Sequence, residues 1–356
     1  MAVSRLWLEN VRNIRQASLE LSPGINLISG PNGAGKTSVL EAAFLLSTGR
    51  SFRTSRLNKL IREGESCCIA GAELHHGDSR HRLGIERCRT GTRLRLDGQD
   101  CRRLSELARE LPALCLHPES YRIIAGGPQL RRQFLDWGLF HVKPGFHGTW
   151  QRYRKALRQR NSALKRDPGM ADRWNDILAA EGQRLDEQRQ WMIQRLAVVV
   201  PEFTADFLLD GDVAVNYQRG WPADSDLAAA LAGSAERDRQ RGFTTAGPHR
   251  ADLRLHWAGR DVQEYVSRGQ QKMLTVILLL AMEKILHQGT DRLPLMLIDD
   301  PASELDAAHR GRLLDYVGRL ENQCLVTAIR REDLALAPAD MGAMFHVEQG
   351  IVNELV

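Results

Sequence analysis

The stretch INLISGPNGAGKTSVLEAAFLL, residues 25–46, decides the fold of this chain. Its first five residues are apolar enough to form a buried strand, and residues 38–46 have the spacing of a helix. Between them, residues 30–37 fit the pattern GxxxxGK[ST] at every fixed position. In that pattern the glycines let backbone N–H groups point at phosphate oxygens, and the start of the helix attracts the same anion. A glycine-rich turn with a chance Lys-Thr pair is the alternative, which the order strand, loop, helix disfavours.

This loop predicts a binding site for a nucleoside triphosphate. We expect Lys36 to reach the β- and γ-phosphates as a catalytic residue, and the Thr37 hydroxyl to bind Mg²⁺. The predicted nucleotide-binding residues are Gly30, Pro31, Asn32, Gly33, Ala34, Gly35, Lys36, Thr37 and Ser38.

A second element of such a site is the stretch LMLIDD, residues 295–300. Four apolar residues predict an inner strand, and Asp299 at its end could hold the Mg²⁺ ion. Asp300 follows where a carboxylate could orient or deprotonate an attacking water, so we expect it to be catalytic. The alternative is a strand that ends in an ordinary acidic turn.

The stretch EYVSRGQQKMLTVILLLAMEKIL, residues 264–286, predicts a buried helix with a polar entrance. Ser267 could cap the helix, and Gly269 would permit a close approach to its N-terminus. Because a helix N-terminus favours anions, this entrance could face a phosphate. A capped core helix without a ligand is the alternative.

Composition places the chain among globular proteins. Of its 356 residues 43% are hydrophobic and 26% charged, and no apolar run reaches the roughly 18 residues of a membrane span. The first ten residues lack a secretory pattern. Six scattered cysteines have no zinc-ligand spacing, so we expect reduced thiols and a cytoplasmic protein.

The net charge of +5 is modest, but the basic residues are clustered. Residues 80–103 contain eight arginines against three acids, and residues 150–166 contain seven basic residues and no acid. Such clusters could neutralise DNA phosphates, or they could be solvated faces with acidic partners in the same chain. The candidate DNA contacts are Arg93, Arg95, Arg152, Arg154, Lys155 and Arg158.

Helical spacing dominates from Gly127 to about Leu209, broken at Pro168-Gly169. It predicts a short antiparallel hairpin with arms of roughly 17 and 28 residues, about 25 and 42 Å long. We therefore predict an α/β fold with a mixed sheet, interrupted by a helical lobe. One lobe would comprise residues 1–125 and 244–356, the other residues 126–243, with the helix 267–286 at their junction.

These motifs, with the turn Ser303–Asp306, resemble the ABC-type ATPase heads of the SMC class. The segments PESYRIIAGGPQLRRQFLDWGLFH (118–141) and IDDPASELDAAHRGRLL (298–314) are similar to the RecF family of bacterial recombination mediators. TTAGPHRADL (244–253) and LENVRNI (8–14) are similar to the same family.

The resemblance implies ATP and Mg²⁺ as cofactors, with slow, DNA-stimulated hydrolysis. It implies binding to gapped, single-stranded and duplex DNA, work with RecO and RecR in loading RecA, and a part in the SOS response, with no membrane partner. In ABC-type heads the signature motif faces the nucleotide of the other subunit. Ser267, Gly269, Gln270 and Asp306 would then act in trans, in an ATP-dependent homodimer.

The chain departs from the ABC pattern at three places. Asp300 stands where many such ATPases have glutamate, and Thr327 stands where a histidine is usual. No glutamine is evident near His117 and Glu119, where the two lobes would join. A transporter's ATP-binding subunit and a chromosome-bridging SMC protein are the competing classes. The basic arm and the RecF-like segments argue against the first, and the short hairpin argues against the second.

Overall fold

The computed structural model describes residues 1–207, 211–290, 292–320, 322–334, 336 and 341–355. The predicted end of the helical region near Leu209 lies outside them. The chain forms two compact units, one of residues Met1–Ser120 and Leu286–Val356 and the other of Tyr121–Ile285.

The first unit contains two six-stranded sheets. The antiparallel sheet has the order β2-β1-β4-β5-β6-β7. Its strands are β1 (Ala2–Val11), β2 (Ile14–Glu20), β4 (Cys67–His76), β5 (Ser79–Cys88), β6 (Thr92–Leu96) and β7 (Gln99–Cys101).

The second sheet has the order β15-β14-β3-β13-β12-β8, in which β15 alone pairs antiparallel. Its strands are β3 (Ile25–Ser29), β8 (Ala113–Leu116), β12 (Leu295–Ile298), β13 (Cys324–Ala328), β14 (Met341–Glu348) and β15 (Ile351–Leu355). The helices of this unit are α1 (Lys36–Thr48), α2 (Leu104–Glu110), α11 (Pro301–Glu304) and α12 (Ala307–Arg319). Because parallel strands are covered on both faces, all residues of β3, β12 and β13 are buried.

The second unit is mostly helical. Its helices are α3 (Arg122–Ala125), α4 (Pro128–Val142), α5 (Phe146–Arg166), α6 (Asn175–Phe207), α7 (Leu227–Gly233), α8 (Ala235–Arg241), α9 (Val262–Tyr265) and α10 (Arg268–Gly289), the last of which ends in the first unit. A small sheet of order β11-β10-β9 is formed by β9 (Val213–Gln218), β10 (Asp252–Trp257) and β11 (Arg260–Asp261).

Helices α5 and α6 form the predicted hairpin, with 21 and 33 residues and a 3-10 turn at Pro168–Trp174 between them. Ion pairs link its arms to neighbouring helices: Arg160 of α5 lies 2.7 Å from Asp238 of α8, and Arg189 of α6 lies 2.9 Å from Asp136 of α4. A charge left without its partner at such depth is costly, so loss of either arginine would destabilise this packing.

The compact units do not follow the predicted lobes. Residues 244–285 belong to the second unit, because β10 pairs along its whole length with β9. The division at 125 and 244 remains a prediction about functional lobes.

One expectation about the cysteines is wrong. Cys67 and Cys88 form a disulfide, because antiparallel pairing of β4 and β5 places them directly opposite each other. Cys68, Cys101, Cys115 and Cys324 are free.

Candidate functional site

The glycine-rich loop follows the C-terminal end of β3, which is an inner strand of the parallel sheet. Gly30 has φ 145°, and a Cβ atom there would overlap the carbonyl oxygen of Val347. Gly35 has φ 125° and directly precedes Lys36, where α1 begins. Residues other than glycine rarely adopt these φ angles, so the shape of the loop depends on its glycines.

Lys36 lies inside the loop and is only 7% exposed. Its Nζ donates hydrogen bonds to the carbonyl oxygens of Gly30, at 2.7 Å, and Pro31, at 3.0 Å. Burial lowers the pKa of Lys36, and the carboxylates of Asp300 and Asp299 oppose that shift. The loop therefore holds a cation where an anionic ligand would enter.

The first turn of α1 and the end of β12 bring Thr37 and Asp299 together. The Thr37 hydroxyl donates to Asp299 at 2.9 Å from Oδ1 and 3.2 Å from Oδ2. Burial raises the pKa of Asp299, while hydrogen bonds from Thr327 and Thr37 lower it. A hydroxyl and a carboxylate are oxygen donors of the kind that Mg²⁺ prefers, so this pair fits the ion.

Asp300 follows in the left-handed conformation, with φ 48° and ψ 61°. Its amide donates to the Thr327 hydroxyl at 2.9 Å, and its carbonyl oxygen accepts from the Ser303 hydroxyl at 2.9 Å. The half-buried Asp300 lines the same cavity as Lys36 and Thr37.

That cavity has a volume of about 730 Å³, within the range of small-molecule sites. Its walls join the loop and the two aspartates to a second, mostly basic group of residues. They are Arg12, Asn13, Arg53, Lys59, Ile61, Arg62 and Glu63.

Sequence reasoning missed this second group. Asn13 Nδ2 donates to the carbonyl oxygens of Gly33, at 3.1 Å, and Ala34, at 2.8 Å, and so supports the loop from outside. Arg12 forms a two-pronged ion pair with the fully buried Glu41, at 2.9 and 2.6 Å. Arg12 and Asn13 lie in the stretch LENVRNI, but nothing in that stretch indicates a contact with the loop.

The signature residues lie in the second unit, at the exposed start of α10. The Ser267 amide donates to Gln270 Oε1 at 2.8 Å, and the Gln270 amide donates to the Ser267 hydroxyl at 3.3 Å. This reciprocal pair is a capping box. Gly269 is exposed on the same turn.

Asp306, in the first unit, caps α12. Its carboxylate accepts from the His309 amide at 3.0 Å, and this bond lowers the pKa of Asp306. Both motifs thus have a local structural role, and their role in trans remains a prediction.

Most candidate DNA contacts already have partners. Arg93 and Arg95 lie 2.9 and 3.3 Å from the same carboxylate, Asp100. Arg152 lies 2.9 Å from Glu181. Arg154 lies over the ring of Trp150, 4.6 Å from its centroid.

Lys155 and Arg158 are exposed on α5, and within the described part of the chain neither forms an ion pair. Among the six candidate contacts, the cations without an acidic partner are therefore those of α5.

The glycine-rich loop, the Thr37–Asp299 pair and the parallel sheet define a P-loop ATPase head. The family model described as "RecF/RecN/SMC N terminal domain" matches residues 2–353. A relative from Thioalkalivibrio sulfidiphilus, "DNA replication and repair protein RecF", is 40% identical over 359 residues, which cover 99% of each chain. The chain belongs to the RecF family of DNA replication and repair proteins.

Solved structures agree. The chain is similar to the "recombination mediator protein RecF-ATP in RecFOR pathway", with a TM-score of 0.90, 26% identity and coverage of 99% of this chain and 97% of that one. It also resembles an Smc head domain from Pyrococcus furiosus, with a TM-score of 0.60, 15% identity and coverage of 99% and 95%, which shows the fold alone. The predicted family and the predicted ATPase-head fold are confirmed.

Among the described helices, none is long and apolar enough to cross a membrane.

Proposed function

We propose that this protein is an ATP-gated DNA-binding protein of recombinational repair that binds ATP in the cavity around Lys36. The observation that carries the proposal is the Thr37–Asp299 hydrogen bond, at 2.9 Å, inside a cavity walled by the glycine-rich loop. Residues 30–38 would hold the phosphates through backbone N–H groups and the Lys36 ammonium. Thr37 and Asp299 would hold Mg²⁺, which when bound would neutralise phosphate charge.

Asp300 would orient the attacking water and accept its proton. A carboxylate within hydrogen-bond reach of a water can do both, and the fixed backbone of Asp300 limits where that carboxylate can lie. We expect slow hydrolysis, because an aspartate side chain reaches one methylene less far than a glutamate. ATP would then act mainly as a switch.

The switch would be dimerisation. Ser267, Gly269 and Gln270 lie at an exposed helix N-terminus, a position that favours a phosphate from a second molecule. Asp306 would join the same interface. Since ATP would then add contacts that exist only in the dimer, its binding would drive two subunits together.

The ligand of the dimer would be DNA. Lys155 and Arg158 are exposed cations without an ion pair among the described residues, and Arg154 lies beside them. No base-reading module is evident in the sequence, so we expect recognition of single-strand–duplex structure rather than of sequence. We expect the protein to help RecO and RecR load RecA in the cytoplasm and to take part in the SOS response. Similarity to a recombination mediator of the RecFOR pathway supports the recombination role.

The test is light scattering with and without ATP and Mg²⁺. We expect the wild type to dimerise only with both, Lys36→Met to stay monomeric because it does not bind ATP, and Ser267→Arg to bind ATP yet stay monomeric. Ser79→Arg, at an exposed serine on β5, is the matched control for added charge. If Ser267→Arg dimerised as the control does, the trans role would be wrong. If the wild type bound no ATP, the whole proposal would fall.

A further inference from the structure

A single buried hydroxyl connects the two acidic residues of the candidate site. Thr327 lies on β13 with no exposed surface, and its Oγ1 is 2.9 Å from Asp299 Oδ1 and 2.9 Å from the Asp300 amide nitrogen. The amide can only donate, so the hydroxyl accepts from it. The hydroxyl proton is then donated to the Asp299 carboxylate, so the orientation of the Thr327 hydroxyl is defined.

A threonine is unusual at the buried position 327 of β13. Every residue of β13 is buried, because the strand lies between β3 and β12 in the parallel sheet. Such strands are normally continuous apolar runs, and a valine would have nearly the shape of threonine. The hydroxyl is therefore the feature of Thr327 that packing does not require.

The backbone of Asp300 explains what the hydroxyl holds. A left-handed conformation at φ 48° is uncommon for residues with a Cβ, although aspartate adopts it more readily than most, and surrounding contacts hold it in place. Here the amide of Asp300 is bound by Thr327, and its carbonyl oxygen accepts from the amide and the hydroxyl of Ser303, at 3.1 and 2.9 Å. Hydrogen bonds on both sides of the residue thus fix the direction in which its side chain leaves the backbone.

We infer that Thr327 is a positioning residue for ATP hydrolysis. Its hydroxyl orients Asp299 toward Thr37 and holds the turn at Asp300, so it sets both carboxylates without contacting the nucleotide. This inference rests on the proposed function, since it concerns the same cavity.

Two substitutions separate the hydroxyl from the packing of the side chain. Thr327→Val keeps the shape and loses the hydroxyl, whereas Thr327→Ser keeps the hydroxyl and loses a methyl group. We expect Thr327→Val to lower kcat by about 10- to 100-fold, the usual effect of removing an outer-shell partner, with KM for ATP changed less than about threefold. Thr327→Ser should retain most of kcat.

A binding measurement provides a readout apart from activity. Fluorescence titration with a labelled ATP analogue in EDTA should give the same affinity for the wild type and Thr327→Val, because the glycine-rich loop is intact. The gain in affinity on adding Mg²⁺ should be smaller in Thr327→Val, since Asp299 loses the hydrogen bond that orients it.

If Thr327→Val does not fold, the exposed Ser303 offers a second test from the other side of Asp300. Ser303→Ala should lower kcat without changing the affinity for ATP in EDTA. An unchanged kcat in Ser303→Ala would overturn the role of the turn.

The outcomes distinguish this inference from the proposed function. Wild-type hydrolysis together with an unchanged kcat in Thr327→Val would overturn the role of Thr327 alone. An equal loss in Thr327→Ser and Thr327→Val would do the same, because packing would then explain it. A wild type that neither binds nor hydrolyses ATP would overturn both.

Discussion

We predict that the cations of α5 that have no acidic partner contribute to how steeply the affinity for DNA falls as the salt concentration rises. Arg154, Lys155 and Arg158 are exposed and lie within four residues of one another, on one side of the helix. Among the described residues none of them forms an ion pair, so each is available to a phosphate. The perturbation is the triple substitution of these three residues by glutamine.

The magnitude follows from counterion release. Each phosphate contact on duplex DNA contributes about 0.9 to the slope of log K against log salt concentration, so three lost contacts should reduce the slope by about 2.7. Over a fourfold rise in salt, the wild type should then lose roughly 40-fold more affinity than the triple variant.

The matched control removes the same charge from Arg93, Arg95 and Arg152. These residues already lie within 3.3 Å of Asp100 or Glu181, so moving them to a phosphate exchanges one ion pair for another. Fluorescence anisotropy with a labelled gapped duplex at four salt concentrations would measure both slopes. If the control variant lost more slope than the α5 variant, ion pairing within the chain would be a wrong guide to the DNA surface.

Three further predictions concern stability and thiols. Arg160→Met should lower the free energy of unfolding by about 3–5 kcal/mol in urea denaturation, because it leaves Asp238 buried without its cation; a loss below about 1 kcal/mol would contradict this. Burial lowers the pKa of His249 to about 4 in the folded protein. As pH drops, His249 is therefore protonated in the unfolded chain before it is protonated in the folded protein, so the free energy of unfolding should fall between about pH 6.5 and about pH 4. His249→Gln should flatten that fall, and an unchanged pH profile would exclude His249 as its cause. Denatured, unreduced protein should show four reactive thiols by thiol titration and six after reduction, whereas six at the outset would exclude the Cys67–Cys88 disulfide.

Much of the site can be predicted from the sequence because each of its parts is a continuous segment. A phosphate-binding loop needs glycines, a lysine and a hydroxyl at fixed spacing, since the turn from β3 into α1 is a local shape. The strand end at Asp299 is local too, because four apolar residues before two acids already define a buried strand. The hairpin of α5 and α6 was likewise predicted from spacing and a Pro-Gly break.

The tertiary structure decided which distant groups meet. The bond from Thr327 to Asp299 joins neighbouring strands, and the pairing of Arg12 with Glu41 joins the end of β1 to the middle of α1. The Cys67–Cys88 disulfide follows from a strand register that no spacing rule reveals.

The same holds for charge. The sequence showed two basic clusters of equal promise, and only the fold showed that Arg93 and Arg95 share the carboxylate of Asp100 while Arg154, Lys155 and Arg158 of α5 have no acidic partner among the described residues. Local shape is encoded by neighbouring residues, so the sequence determined the loop, the strand ends and the family. Pair energies depend on distances across the fold, so only the tertiary structure decided which carboxylates are oriented and which cations remain free for a ligand.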